Sequence, residues 1–283
     1  MRAAAVLRKR LGRGLYLGLV GFVYAFLLLP LVIVVLASLN AGEYLTFPPE
    51  GFSLRWYVSF FNSDPFIDSL VFSLWLAFLC MIIATLLGSM VALYVVRFAR
   101  KWRDQLRLFI LMPLLLPEIL TAIALLFFYY RIETVLGGLG LEGVGGAFHK
   151  TFLGLLIGHV LVTLPFVFLG LSASLYNFDL SLEEAARSLG ADKYTTFRRI
   201  TLPIVKPGII AGALLSFIIS FDLFNISLLL KATGIVTLPI QLFDYVRFEF
   251  DPTAAAVSTV SIVITVIAIV LTEKLVGLRS LRF

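Results

Sequence analysis

Two acids and two hydrogen-bonding side chains lie where lipid would be the default neighbour. Asp222 falls about 15 residues into an apolar run that begins near residue 207, and Glu118 about 10 residues into one that begins near 108; Asn225 and Tyr129 occupy the same two runs. An ionised carboxylate at such a depth costs a few kcal/mol, so it faces a bundle interior, a partner or a water-filled path. Two acids near mid-depth would attract a cationic solute, and Asn225 and Tyr129 could add hydrogen bonds or a cation–π contact along the path wall. The alternatives are structural. Asp222 could pair with a Lys or Arg of a partner subunit, and Glu118 could cap the helix that Pro117 interrupts. Catalytic chemistry has poorer candidates. His149 and His159 are ten residues apart without an H-E-x-x-H companion, and the single cysteine, Cys80, sits inside an apolar run. No metal cluster and no recognisable nucleophile is in place, which disfavours a membrane enzyme.

The elements that must position these residues are membrane helices. The 283 residues are 60% hydrophobic and only 14% charged, with a mean hydropathy of +1.03. A core of this length could not bury that much apolar surface in water. Crossing roughly 30 Å of hydrocarbon takes about 20 apolar residues in a helix, and lipid leaves no backbone group a partner outside it. Six runs meet that length, at about 15–39, 66–96, 108–130, 151–175, 207–230 and 254–276, so the expected architecture is an all-α polytopic membrane protein with six spans in a single transmembrane domain. The first run follows Arg8-Lys9-Arg10 but is longer than the apolar core of a signal peptide and is followed by further spans, so it is read as a retained helix. Of the 23 Lys and Arg, eighteen fall on one side: five at the N-terminus, five around Arg97–Arg107, five around Arg187–Lys206 and three in the tail. That side, with both termini, is cytoplasmic. The net charge of +6 is accounted for by orientation, and nucleic acid is not an expected partner. Outside, residues 40–65 are rich in aromatics suited to the interface, and residues 131–150 are rich in glycine. Pro113, Pro117 and Pro165 interrupt spans, as kinked helices around a pathway would require.

One cytoplasmic segment, about 179–206, is polar and helical where the chain around it is apolar. Ser181-Leu182-Glu183-Glu184 reads as a capping box, with the serine hydroxyl serving the amide three residues on. Leu182, Ala185, Ala186 and Leu189 then form a small-residue stripe, and Gly190 can take the left-handed turn that ends a helix. A second short helix would start at Asp192, and Pro203 and Pro207 would separate the segment from the fifth span. A short helix with alanines on one face can dock closely in a partner's groove and pass on a rigid-body push.

The pattern Glu184-Ala185-Ala186, Gly190, Ile200-x-Leu202-Pro203 resembles the EAA motif of ABC-importer inner-membrane permeases at every signature position. The likeness spans the chain: Ser38-Leu39-Asn40, Trp56-Tyr57, Pro117-Glu118-Ile119, Leu164-Pro165-Phe166, Phe221-Asp222 and Leu238-Pro239 look like the spermidine/putrescine-type permeases. The resemblance implies a MetI-like fold in the bacterial inner membrane. It further implies a second permease subunit, expected as a heterodimer, two cytoplasmic ABC ATPases that grip the coupling residues Glu184, Ala185, Ala186, Gly190, Ile200, Leu202 and Pro203, and an extracytoplasmic solute-binding protein. ATP and Mg would be bound by those partner subunits, and no cofactor by this chain, which has no G-x-x-x-x-G-K-[ST]. Polyamine is the first expectation for the solute. Aminoethylphosphonate, iron and thiamine permeases carry a similar fifth-span acid and stay open, and an ion-coupled secondary transporter is the more distant alternative.

Overall fold

The computed structural model describes residues 2–140 and 146–276, with residues 2–11 as backbone only. Twelve α-helices are described: α1 (Arg2–Ser38), α2 (Arg55–Phe61), α3 (Asp64–Arg97), α4 (Arg103–Leu115), α5 (Glu118–Gly138), α6 (Phe152–Tyr176), α7 (Ser181–Ser188), α8 (Lys193–Thr196), α9 (Leu202–Phe221), α10 (Phe224–Leu230), α11 (Leu238–Phe248) and α12 (Thr253–Val276). A single π-helical turn, Phe197–Thr201, joins α8 to α9. Among the described residues six stretches are long and apolar enough to span a membrane: Gly12–Ser38, Asp64–Arg97, Glu118–Gly138, Phe152–Tyr176, Lys193–Phe221 and Thr253–Leu275.

The chain divides into two compact units, Met1–Ser63 with Tyr245–Val263 and Asp64–Asp244 with Ile264–Phe283. In the first, the long helix α1 ends at an outer loop organised by Asn40. This buried side chain donates to the carbonyl of Tyr44 (3.0 Å) and to the hydroxyl of Thr46 (3.2 Å), and accepts from the backbone N–H groups of Gly42 and Glu50. Trp56 Nε1 donates to the Asn40 carbonyl at 2.8 Å, and the Tyr57 hydroxyl meets Ser38 Oγ at 2.6 Å. The aromatics expected at the interface therefore have a second task here, holding the loop to the end of α1.

The second unit is built on α3, α6 and α9, each packed on the other two. Membrane helices have no hydrophobic drive toward one another and associate where small side chains let backbones approach. Such a seam lies between α6 and α9: a Cβ on Gly170 would stand 2.6 Å from the Gly208 carbonyl, and one on Gly212 would stand 2.6 Å from Val167 Cα.

Two spans end differently from the sequence expectation. The run read as one helix over 108–130 is broken, and the span-length helix is α5, Glu118–Gly138. Leu116 is extended (ψ 145°), the conformation that a following proline imposes, and Pro117 has no N–H to continue the ladder. The run at 207–230 is likewise split into α9 and α10 at Asp222 and Leu223. Conversely, Pro203 and Pro207 do not separate the cytoplasmic segment from the fifth span. Helix runs without interruption from Lys193 to Phe221: the π turn carries the Leu202 N–H back to the Phe197 carbonyl, and Pro203, which has no N–H to donate, directly follows that widened turn.

Because backbone and not a flexible side chain opposes it, Gly212→Val is expected to push α6 and α9 apart. Its melting temperature in detergent should fall by several degrees, whereas Gly137→Val, in open space at the end of α5, should leave it unchanged.

Candidate coupling helix and intramembrane polar sites

The cytoplasmic helix α7 begins one step earlier than a capping box would place it. Leu180 is already helical (φ −63°, ψ −22°), so Ser181 lies inside the helix, the Glu184 N–H bonds to the Leu180 carbonyl (3.2 Å), and the serine hydroxyl has no free amide to serve. The cap comes from Asp179, whose Oδ1 accepts from the Ser181 N–H at 2.9 Å. That backbone hydrogen bond, seconded by the Ser181 side chain, holds the Asp179 carboxyl below the usual carboxylate range. At the other end Gly190 is left-handed (φ +89°), and the Ala191 N–H returns to the Ala186 carbonyl at 3.1 Å, as expected of a glycine-terminated helix. Asp192 caps α8 by accepting from the Thr195 N–H.

The two faces of α7 have opposite fates. Glu184, Ala185, Leu182 and Leu189 are exposed, Leu189 to 90%, and Ala186 is half-buried, so the small-residue stripe points away from this chain. The opposite face carries Glu183, only 5% exposed. Its carboxylate takes both Arg97 Nη groups, at 2.5 and 3.2 Å, the Arg187 guanidinium at 3.4 Å and the Thr201 hydroxyl. Arg97 closes α3, and Thr201 ends the π turn that leads into α9, so one side chain links the cytoplasmic helix to two spans. Burial by itself would raise the Glu183 pKa. The hydrogen bonds from Arg97 and Thr201 and the charges of Arg97 and Arg187 outweigh that and hold it below the ordinary value. Sequence reading chose Glu184 and passed over Glu183. The available signal was the spacing of Glu183 and Arg187, four apart on one helical face. Of the remaining motif residues, Ile200 packs on the buried cluster around Val95, Phe168 and Leu171, while Leu202 and Pro203 are exposed at the start of α9.

Within the membrane, both acids stand at helix breaks. Glu118 opens α5, and its Oε1 accepts from the backbone N–H groups of Asn225 (3.0 Å) and Ile226 (3.3 Å), two of the donors that the start of α10 leaves unpaired. It caps a helix, though not the one broken at Pro117. Asp222 ends α9, is exposed and lies within Coulombic range of Glu118. Its carboxylate has no hydrogen-bond or ion-pair partner among the described residues. Asn225 is half-buried beside it. Tyr129 departs from expectation: its side chain is 2% exposed, its hydroxyl donates to the Gly154 carbonyl at 2.9 Å and its ring stacks on Phe148, so it packs α5 on α6 and does not form a path wall.

His159, fully buried on α6, behaves as the hydrogen-bonded helix residue that its isolation in the sequence suggests. Nδ1 meets Ser220 Oγ at 2.9 Å and Nε2 meets Ser227 Oγ at 3.0 Å. Ser227 already donates to the Leu223 carbonyl, so its oxygen accepts from Nε2–H, and Nδ1 accepts from Ser220. One neutral imidazole thus spans the break, tying the end of α9 to α10.

A chain that among its described residues is helical, with six span-length helices, a cytoplasmic helix offered outward and acids at helix breaks, belongs to the class of multi-pass membrane transport components. A family model described as the binding-protein-dependent transport system inner membrane component matches residues 84–276, and the chain belongs to that family. It is similar to the spermidine/putrescine transport system permease protein PotC of Haemophilus influenzae, 34% identical over 254 residues that cover 89% of this chain and 92% of that protein. PotC of Escherichia coli is 31% identical over 265 residues, 93% of this chain and 94% of that protein. In fold it matches a chain of a bacterial ABC transporter involved in the import of the acidic polysaccharide alginate, with a TM-score of 0.74 at 17% identity, over 98% of this chain and 97% of that one. The protein is a multi-pass permease of the bacterial inner membrane with the MetI-like fold.

A carboxyl whose folded-state pKa is depressed stabilises the fold above its unfolded value, and the contribution is lost as pH falls through the folded value. For Glu183 the loss therefore starts below the ordinary 4.5. Glu183→Gln leaves Arg97 without its counter-charge and should cost about 3 kcal/mol at neutral pH. Thermal melts from pH 7 to 3 should show the variant less stable throughout the upper range, with the gap narrowing toward pH 3; a constant gap would deny the charge its role.

Proposed function

We propose that the chain forms one half of the translocation path of an ATP-driven importer for polyamines, and that α7 is where the motor takes hold. The observation that carries the coupling role is the division of α7 into an inner face bolted down by Glu183 and an outer apolar stripe, Leu182, Ala185 and Leu189, left uncovered by this chain. A groove on a cytoplasmic ATPase can close over such a stripe, and a push on the helix then reaches α3 through Arg97 and α9 through Thr201. ATP and Mg would sit on two such ATPases, a second permease would complete the path, and an extracytoplasmic binding protein would deliver the solute.

The polyamine assignment draws on the named relatives and on Asp222. An exposed carboxylate at the break of the fifth span, with the Glu118 charge nearby, offers a primary or secondary ammonium group an attractive position in a region where unpaired charge is costly. Glu118 would act chiefly by holding α10 in place and adding its field, and Asn225 by offering an amide next to the acid.

Two measurements test the two halves of this reading in the reconstituted complex. Asp222→Asn should reduce spermidine uptake about tenfold or more, the equivalent of 1.4 kcal/mol or more, with Asp222→Glu recovering part of it; full uptake by the asparagine variant would remove Asp222 from the path. Ala185→Arg, on the outer stripe, should abolish solute-stimulated ATP hydrolysis while leaving the melting temperature of the chain unchanged, and intact stimulation would deny α7 its coupling role.

A further inference from the structure

Beside the root of α7 lies a recess of about 590 Å³ whose wall is basic. Arg97, Arg100, Arg103, Arg187 and Lys193 line it, against a single acid, Glu183. Glu183 is engaged by Arg97 and Arg187, which leaves Arg100, Arg103 and Lys193 without an acidic partner among the described residues. Arg103 is partly immobilised: its Nη2 donates to the Val96 carbonyl at 2.6 Å, yet its buried Nε has no partner. A fixed guanidinium with an unused N–H, flanked by two further free cations, is the arrangement that recognises phosphate oxygens.

The recess sits where α3 and α6 leave the membrane on the side that the basic residues mark as cytoplasmic. Phe98, 73% exposed, and Tyr176 form part of the same wall, and the exposed Trp102 lies next to it in the chain. Aromatics at this level belong to the headgroup region of a bilayer. A soluble phosphate would use the cations and leave the aromatics unexplained, whereas basic pockets between membrane helices on the cytoplasmic side suit anionic headgroups. We propose that this recess binds the phosphate group of an anionic phospholipid of the inner leaflet. The site is independent of the solute, and its occupant would lie against the Arg97–Glu183 link that fastens α7.

The test uses the purified full chain, with native mass spectrometry after exchange into detergent containing phosphatidylethanolamine, phosphatidylglycerol or cardiolipin. Wild-type chain should retain phosphatidylglycerol or cardiolipin roughly tenfold better than phosphatidylethanolamine. Arg100→Gln with Lys193→Gln, both exposed positions, should lose that preference while the chain keeps its helical content and elution volume. Arg103→Gln, made separately, should do the same. Equal retention of the three lipids by wild type, or unchanged selectivity in both variants, overturns the proposal. Inorganic phosphate separates the two sources of the same chemistry. Weak competition that leaves phosphatidylglycerol bound supports a lipid, and full displacement with equal thermal protection by phosphate in lipid-free detergent overturns the lipid source.

Discussion

A buried carboxylate held by two guanidiniums and a hydroxyl is the interaction on which the cytoplasmic side of this protein depends. An eight-residue helix such as α7 has no stability of its own in water, because nucleation costs more than so few hydrogen bonds return. Its ends are fixed locally, by Asp179 at the start and the left-handed Gly190 at the finish. Its position is fixed by Glu183 alone of its buried side chains. Taking that carboxylate out of water is unfavourable unless donors replace the lost hydration; here both its oxygens are occupied. The geometry explains why the same helix can be rigidly attached and still present an unoccupied face. The attachment is polar and inward, and the offered surface is apolar and outward.

The same requirement, that every polar group near the membrane interior find a partner, shapes the two helix breaks. Ending α9 at Phe221 and restarting at Phe224 leaves amides at the start of α10 with no intrahelical acceptor. Glu118, from a different span, supplies one, and His159 ties Ser220 to Ser227 across the gap. The break is thus held from two sides, by a carboxylate at the amides and an imidazole at the hydroxyls. Thr163 extends the network by donating to the His159 carbonyl, and it also meets Cys80 at 3.1 Å. A break supported in this way is a fixed feature of the span and places the Asp222 carboxylate at a defined point.

What the sequence shows of all this follows from the range over which each signal acts. Six spans and the Gly190 turn are local properties of composition and backbone freedom, and the structure repeats them among the described residues. The break at Pro117 was legible as an interruption, but which side of it would form the span was not, since Leu108–Leu115 and Ile119–Phe128 are equally apolar. Pro203 misled because the rule that proline ends a helix assumes α-helical spacing, and a π turn relaxes it. Glu183 and Glu184 are adjacent and chemically identical; Arg187, four residues on, marks Glu183 locally, but the stronger partner that holds it inward is Arg97, 86 residues away in the chain. Tyr129 was placed on the path because its run was apolar and its hydroxyl polar. Its partner, the Gly154 carbonyl, is a backbone atom that no side-chain pattern advertises.

Asp222 and the outer stripe of α7 are then the same kind of feature at two depths. Each is a group that this chain positions with care and leaves uncovered. An exposed carboxylate flanked by apolar spans is tolerable only beside water, a cation or a partner's base, and three exposed apolar side chains on one short helix call for a groove. The carboxylate cannot be stabilised by Glu118, which carries the same sign and already has two amide donors. No base among the described residues pairs with it, and a mobile cation would complement it only while in transit. The stripe, by contrast, needs a partner that stays. The physical asymmetry between a transient and a lasting complement is what favours the proposed reading of the first as cargo-facing and the second as motor-facing, and the Glu183 anchor, with arms on α3 and on the turn entering α9, is the physical connection that reading requires.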